Sequence, residues 1–245
     1  MDKYAGIPFY RTLVQSKLVK FRVVYKETDL HILAERDLSN QVLQLIKELR
    51  SPLETYIIRN PLFLKSLEPI DVEETSPEII KEMVLAGKIA GVGPMASVAG
   101  AIAERVGKAL VERGLTSQVV VENGGDVFLS LKKDATVGVF AGDSAFSGKI
   151  GILVKKDLMP CGVCTSSAKI GHSLSFGQAD AVTVIHKNTA VADALATSFG
   201  NLMKSPQDFK KVINKAEKVK DIYGVLVIIE EKLLVWGKEI KLIKI

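Results

Sequence analysis

The alternation of apolar and polar positions along the chain predicts most of its elements. Residues 18–34, LVKFRVVYKETDLHILA, form two alternating runs joined by Lys26-Glu27-Thr28-Asp29, the pattern of a β-hairpin. Leu38, Val42, Leu45, Ile46 and Leu49 then recur at helical spacing, which predicts an amphipathic helix ending near Arg50. Residues 60–74 are irregular, with prolines at 61 and 69. Ser76-Pro77-Glu78 predicts a helix start: a capping hydroxyl, a proline at the first helical position and an acid against the helix dipole. That helix runs to about Ile89. Gly91, Gly93 and Pro94 break the chain, and a second helix follows over 94–113. Its Ala96, Ala99, Gly100 and Ala103 make a face of small residues, which lets a helix approach another backbone or a ligand closely. The helix packs either on its own sheet or on a second subunit, which leaves a homo-oligomer open.

In the second half, Val119-Val120-Val121 predicts a strand, Glu122–Asp126 (ENGGD) a tight turn, and VFLSL the returning strand. Further strands are expected over 136–141, 149–154 and 179–186. A helix is expected over 189–203, and another from Pro206 to about Glu217. The end is a meander turning at Glu230-Glu231 and near Gly237. Hairpins mixed with helices predict an α+β fold, a largely antiparallel mixed sheet flanked by helices. We expect one domain over 1–245, with an N-terminal hairpin and helix (1–75), a motif-bearing core (76–205) and a closing helix and strands (206–245).

Composition narrows the function classes. A chain of 245 residues buries a substantial core, and its 47% hydrophobic and 25% charged residues are those of an ordinary globular protein. No apolar run approaches the ~18 residues of a membrane span, and the first residues lack the apolar core of a secretory signal, so a cytoplasmic protein is expected. The net charge of +5 is spread over scattered lysine pairs without interleaved aromatics, which argues against a nucleic-acid surface and is compatible with an anionic small ligand.

The stretch CGVCTSSAKIGHS, Cys161 to Ser173, holds both cysteines. A closed zinc site needs four ligands, and the other soft ligands are His31, His172 and His186, the last two too far apart for compact zinc-finger spacing; no zinc is expected. A redox pair wants its cysteines at a helix start, whereas here a loop is expected. The cysteines are therefore read as small buried bystanders near a strand end. After them, Thr165, Ser166 and Ser167 give three hydroxyls in a row, followed by Lys169, His172, Ser173 and Ser175. Such a loop offers hydroxyls and N–H groups to a phosphate or ring edge; a solvated loop has the same composition. In VADALATSFGN, Asp193 and Thr197 are four apart and share one helix face. Together they are hard oxygen ligands suited to Mg²⁺ or Ca²⁺. Alternatively, Asp193 serves only the dipole of its own helix.

The succession ENGGDVFLSL, GVCTSS…GHS and AVTVIHKNTAVADALATSFGNL resembles the ApbE family of flavin transferases over roughly residues 90–205. That family carries an N-x-G-G-[DN] turn, a T-S-G loop leading to a histidine, and a closing A-D-A-L-A-T helix, the last being the most specific. The chain is closer still to a branch related to ApbE whose members carry a VGPMASVAGAIAE-like helix. The resemblance implies Mg²⁺ and FAD as cofactors, and transfer of FMN through a phosphodiester to a threonine or serine of a target protein. It implies Asp193 and Thr197 as metal ligands, and Asn123, Gly124, Gly125 and Asp126 beside the flavin nucleotide. It places Thr165, Ser166 and Ser167 in the ligand loop, and His172 as acceptor of the attacking hydroxyl's proton. The chain departs from the pattern in two places. The family's G-G-x-A-K-G stretch, which supplies a backbone metal ligand, appears as Met95-Ala96-Ser97-Val98-Ala99-Gly100, with Ala99 at the lysine position. Its H-x-x-D-P element is replaced by His172-Ser173-Leu174-Ser175-Phe176. The expected partner is a phosphorylated small molecule, handled by an enzyme or held by a non-catalytic module.

Overall fold

The computed structural model describes residues 17–167 and 177–245. Strands β1 (Val19–Tyr25) and β2 (Thr28–Ala34) form the first hairpin. Tyr25 pairs directly with Thr28, so the turn is Lys26-Glu27 alone rather than the four residues expected. Helix α1 (Ser39–Arg59) continues well past Arg50, which corrects the predicted end. Pro52 costs one backbone hydrogen bond there. Leu53 continues the buried face, and the Tyr56 ring meets Phe63 edge-on at 5.3 Å, so packing outweighs the break. Arg50 also pins this helix to the hairpin, donating to Thr28 Oγ1 at 2.7 Å and pairing with Glu27 and Glu54.

A short α2 (Pro61–Lys65) precedes α3 (Glu78–Ala90). The latter is bounded by Pro77 with no side-chain cap, so the expected Ser76 hydroxyl cap is not made. A turn of 3₁₀ helix (Pro94–Ser97) leads into α4 (Val98–Glu112). Then come β3 (Val119–Asn123), β4 (Asp126–Ser130), β5 (Ala135–Gly138), β6 (Ile150–Val154), β7 (Cys161–Ser166) and β8 (Ala181–His186). The chain closes with α5 (Thr189–Leu202), α6 (Phe209–Ala216), β9 (Ile222–Ile229), β10 (Lys232–Trp236) and β11 (Lys241–Lys244). The first six residues of the expected loop at 161–173 are thus a strand.

Eight strands form one sheet in the order β1-β2-β3-β4-β7-β8-β9-β10, and β11-β6-β5 form a second; every pairing is antiparallel. The large sheet is covered on both faces. Phe21, Ile32, Val121, Phe128 and Val184 point to the helices, whereas Leu129, Val163, Ile185 and Ile228 pack with Ile152 and Val154 of the small sheet. All six residues of β8 are therefore buried, and its sequence AVTVIH shows no clean alternation. Helix α4 lies on its own sheet, against β3 and β4. Gly107 makes that approach: a Cβ there would stand 2.2 Å from the Phe128 ring. Among the described residues no single helix is long and apolar enough to cross a membrane.

A candidate cation and ligand site at the sheet rim

Several of the predicted site residues, Asn123, Asp126 and Asp193 among them, come together where the β3–β4 hairpin, β7, the start of α4 and α5 meet. The hairpin closes through Gly124 and Gly125, at φ 65° and 105°, left-handed conformations that glycine adopts without strain. Asn123 and Asp126 are the directly opposed pair flanking this turn, so both face the helix layer. Asn123 Nδ2 donates to the Ala99 carbonyl at 3.1 Å, and the Gly125 N–H donates to Glu122 Oε1 at 2.8 Å. Space beside Gly124 is open, with nothing within 4 Å of where a Cβ would stand.

Alternation along β7 separates groups that are adjacent in sequence. Cys161 packs with the small sheet and Cys164 with the helices. Three positions apart on a strand, the two thiols lie on opposite faces and share neither a metal nor a disulfide. Thr165 also faces away from the helices, its hydroxyl 2.9 Å from that of Thr183. Ser166 shares the helix-facing side with Cys164. It is 8% exposed, and its Oγ finds no hydrogen-bond partner among the described residues. Of the three consecutive hydroxyls, the structure thus brings Ser166 to the Asp126 side and turns Thr165 away. Ser167 ends the described part of this segment, and His172 lies outside the described residues.

Asp193 and Thr197 stand one turn apart on α5, both buried. Asp193 does not cap its own helix. That position belongs to Asn188, whose Oδ1 accepts from the Val191 N–H at 2.8 Å. Instead Asp193 Oδ2 accepts from the Gly100 N–H, in the first turn of α4, at 2.9 Å. Gly100 is the close-approach point, because a Cβ there would meet the Thr189 carbonyl at 2.5 Å. Within the small-residue face of α4, Gly100 therefore serves helix packing.

Burial dominates the electrostatics. It holds the Asp126 carboxyl well above the usual range, and the neighbouring Asp193 charge adds to this. The Cys164 thiol and the Thr165 N–H work the other way by hydrogen bonding to the Asp126 carboxylate. Asp193 is pushed up to about 7 by burial, against the pull of the Gly100 and Ala99 N–H groups. The Cys164 thiol is raised by burial and by both carboxylates, and Cys161 goes to about 12 by burial alone. Among the described residues no cationic side chain figures in what shifts these two interacting buried carboxylates.

The donor chemistry fits a hard divalent cation: carboxylates from Asp126 and Asp193 with hydroxyls from Thr197 and the unsatisfied Ser166. Among the described residues no three His, Cys, Asp or Glu side chains form a metal-binding group, so carboxylates alone would not complete a coordination shell. An open depression of about 580 Å³ lies at the other end of α4, lined by Glu35, Gly114 and Ser117 among others, away from this chemistry. Sequence reasoning missed two neighbours of the site. Cys164 becomes visible once 161–166 is read as a strand, whereas nothing in AIAERVG marks the buried Glu104 off from the half-exposed Arg105 beside it.

Comparison with known proteins bears on the family and the fold. The family described as "AbpE bacteria" matches residues 11–232. A UPF0280 protein of Methanocaldococcus jannaschii is 44% identical over 232 residues, covering 92% of this chain and 93% of its own. One from Methanothermobacter thermautotrophicus is 43% identical over 215 residues, covering 86% and 82%. Among solved structures, the apo flavinyl transferase ApbE of Pseudomonas stutzeri superposes with a TM-score of 0.58 at 16% identity, covering 93% of this chain and 96% of that one. The ApbE protein of Thermotoga maritima gives 0.59 at 11% identity, covering 91% and 97%. At such identities the likeness is one of fold. The chain belongs to the "AbpE bacteria" family, has UPF0280 proteins as its relatives, and is built on the ApbE fold.

Proposed function

We propose that this protein binds a phosphorylated small molecule, with FAD as the first candidate, through a divalent cation held by Asp193 and Thr197. The observation that carries the reading is the buried, mutually repelling pair Asp126 and Asp193, with the unsatisfied Ser166 hydroxyl on the same face of the sheet. A cation such as Mg²⁺ would supply the missing positive charge and neutralise a pyrophosphate. Around it the chain's own residues do the positioning: the Asn123–Asp126 turn and Ser166 with Ser167 border the ligand, and His172 accepts the proton of an attacking hydroxyl. Calorimetric titration of FAD with and without Mg²⁺ or Mn²⁺ tests this. Binding should require the cation and vanish in Asp193→Ala, and equal FAD affinity in a folded Asp193→Ala protein would refute it.

A second reading, a non-catalytic binding module, draws support from Ala99. Its side chain stands where the ApbE pattern has lysine, and its carbonyl already accepts from Asn123 Nδ2 at 3.1 Å. Cation-dependent release of AMP from FAD selects the enzyme; cation-dependent binding without release selects the module.

A further inference from the structure

Asp193 meets α4 at Gly100, and a second carboxylate, Glu104, meets the start of α5 in return. Glu104 is a buried carboxylate on α4, one turn beyond Gly100. Its Oε2 accepts the Thr189 N–H at 2.6 Å, at the first residue of α5, and its Oε1 accepts from Asn188 Nδ2 at 3.4 Å. Lys108, one turn further along α4, lies 2.6 Å from Oε1 and balances the charge. Asn188 in turn caps α5 through Val191, and its own N–H donates to His186 Nδ1 at 2.8 Å. The other ring nitrogen, Nε2, donates to the Lys220 carbonyl at 2.9 Å, which ties the assembly to the chain entering β9.

The two helices therefore cap each other. Glu104 of α4 closes the open N–H at the start of α5, and Asp193 of α5 closes one at the start of α4. Both bonds are buried, and each belongs to the strong, charge-assisted class when its carboxyl group is ionised. Between them the backbones touch at Gly100 and Thr189, so neither helix slides without breaking a cap. The ligand function assigned to Asp193 needs its second oxygen presented in one place, and a misplacement of about 1 Å in a supporting element is enough to spoil such a site.

We infer that Glu104 is a positioning residue for the cation and ligand site, acting through Thr189 and Asn188 to set Asp193. This rests on the cation reading above, but its test does not depend on it alone. Glu104→Ala removes the acceptor; Glu104→Gln keeps an oxygen for the Thr189 N–H and removes the charge. Two readouts apply to wild type and both variants: hydrogen-exchange protection of the Gly100 amide, corrected for global stability by urea unfolding, and Mn²⁺ affinity by electron paramagnetic resonance. Glu104→Ala should lose Gly100 protection beyond the global change and weaken Mn²⁺ binding, and Glu104→Gln should restore most of both. Unchanged Gly100 protection in a folded Glu104→Ala protein overturns the inference, whatever Mn²⁺ does. If wild type binds no Mn²⁺ while Gly100 protection still depends on Glu104, the cation reading falls, and with it the ligand role of the positioning.

Discussion

Asp193 Oδ2 accepts the Gly100 N–H across the contact between α5 and α4, so the residue matched to a metal ligand also caps a neighbouring helix. At least one carboxylate oxygen is thereby committed to the fold. The same bond pulls the Asp193 proton affinity down while burial pushes it up, and burial wins.

The close approach that makes this bond is intolerant of bulk. A Cβ at Gly100 would stand 2.5 Å from the Thr189 carbonyl and 2.8 Å from Asp193 Cβ. Gly100→Ala should therefore destabilise the protein by roughly 1–3 kcal/mol, the cost of overpacking a core, read as a lower urea midpoint. A midpoint equal to wild type would show that the helices separate freely.

Proton linkage gives a second expectation. An aspartate in an unfolded chain ionises near ~3.9, whereas folded Asp193 keeps its proton to about 7, and Asp126 shifts the same way. Between these values the folded state binds more protons, so this pair's contribution to stability is present at low pH and lost as pH rises towards 7. Buried His186, whose proton affinity is lowered by burial, acts in the opposite direction. The measurement is therefore a difference: between pH 5 and pH 8, without divalent cation, stability should fall more in wild type than in Asp193→Asn. Identical pH profiles would sink the assignment.

The β9–β10 hairpin turns through Glu230 and Glu231, both left-handed at φ 49° and 60°. Side chains adopt that conformation at a cost of about 1–2 kcal/mol each. Glu231→Gly should raise the melting temperature, with a gain of roughly 1 kcal/mol at most because glycine also loosens the unfolded chain. A drop in melting temperature would mean that the glutamate side chain contributes more than its backbone costs.

Cys161 and Cys164, on opposite faces of β7, should resist mutual oxidation. Mass spectrometry after mild oxidant treatment of the folded protein should find both thiols free and no intramolecular disulfide. A bridged product would require β7 to leave the sheet.

Much of this was legible in the residues themselves. The Gly-Gly turn, the A-D-A-L-A-T helix and the hairpins follow from local pattern, because two glycines and a 3.6-residue period each admit few conformations. The helix end was placed near Arg50 because the apolar recurrence from Leu38 stops at Leu49, and only the packing of Leu53 and Tyr56 shows why the helix continues through Pro52. Residues 161–166 were read as a loop because a strand buried on both faces lacks an alternating signature, and small polar residues at its end imitate a loop. Asp193 was assigned to its own helix or to a metal; its bond to Gly100, 93 positions away, is a tertiary fact that no local window contains.

The double covering of the large sheet has a consequence for how such a chain changes over time. With helices on one side and a small sheet on the other, the middles of β4, β7 and β8 are closed to variation on either face. The strand ends are different: Asn123, Asp126 and Ser166 border the rim, and the turn at Gly124 opens onto free space. Substitution at the rim therefore disturbs less packing than substitution in the middles of these strands. Tolerance at the rim and constancy inside are here two results of the same layering.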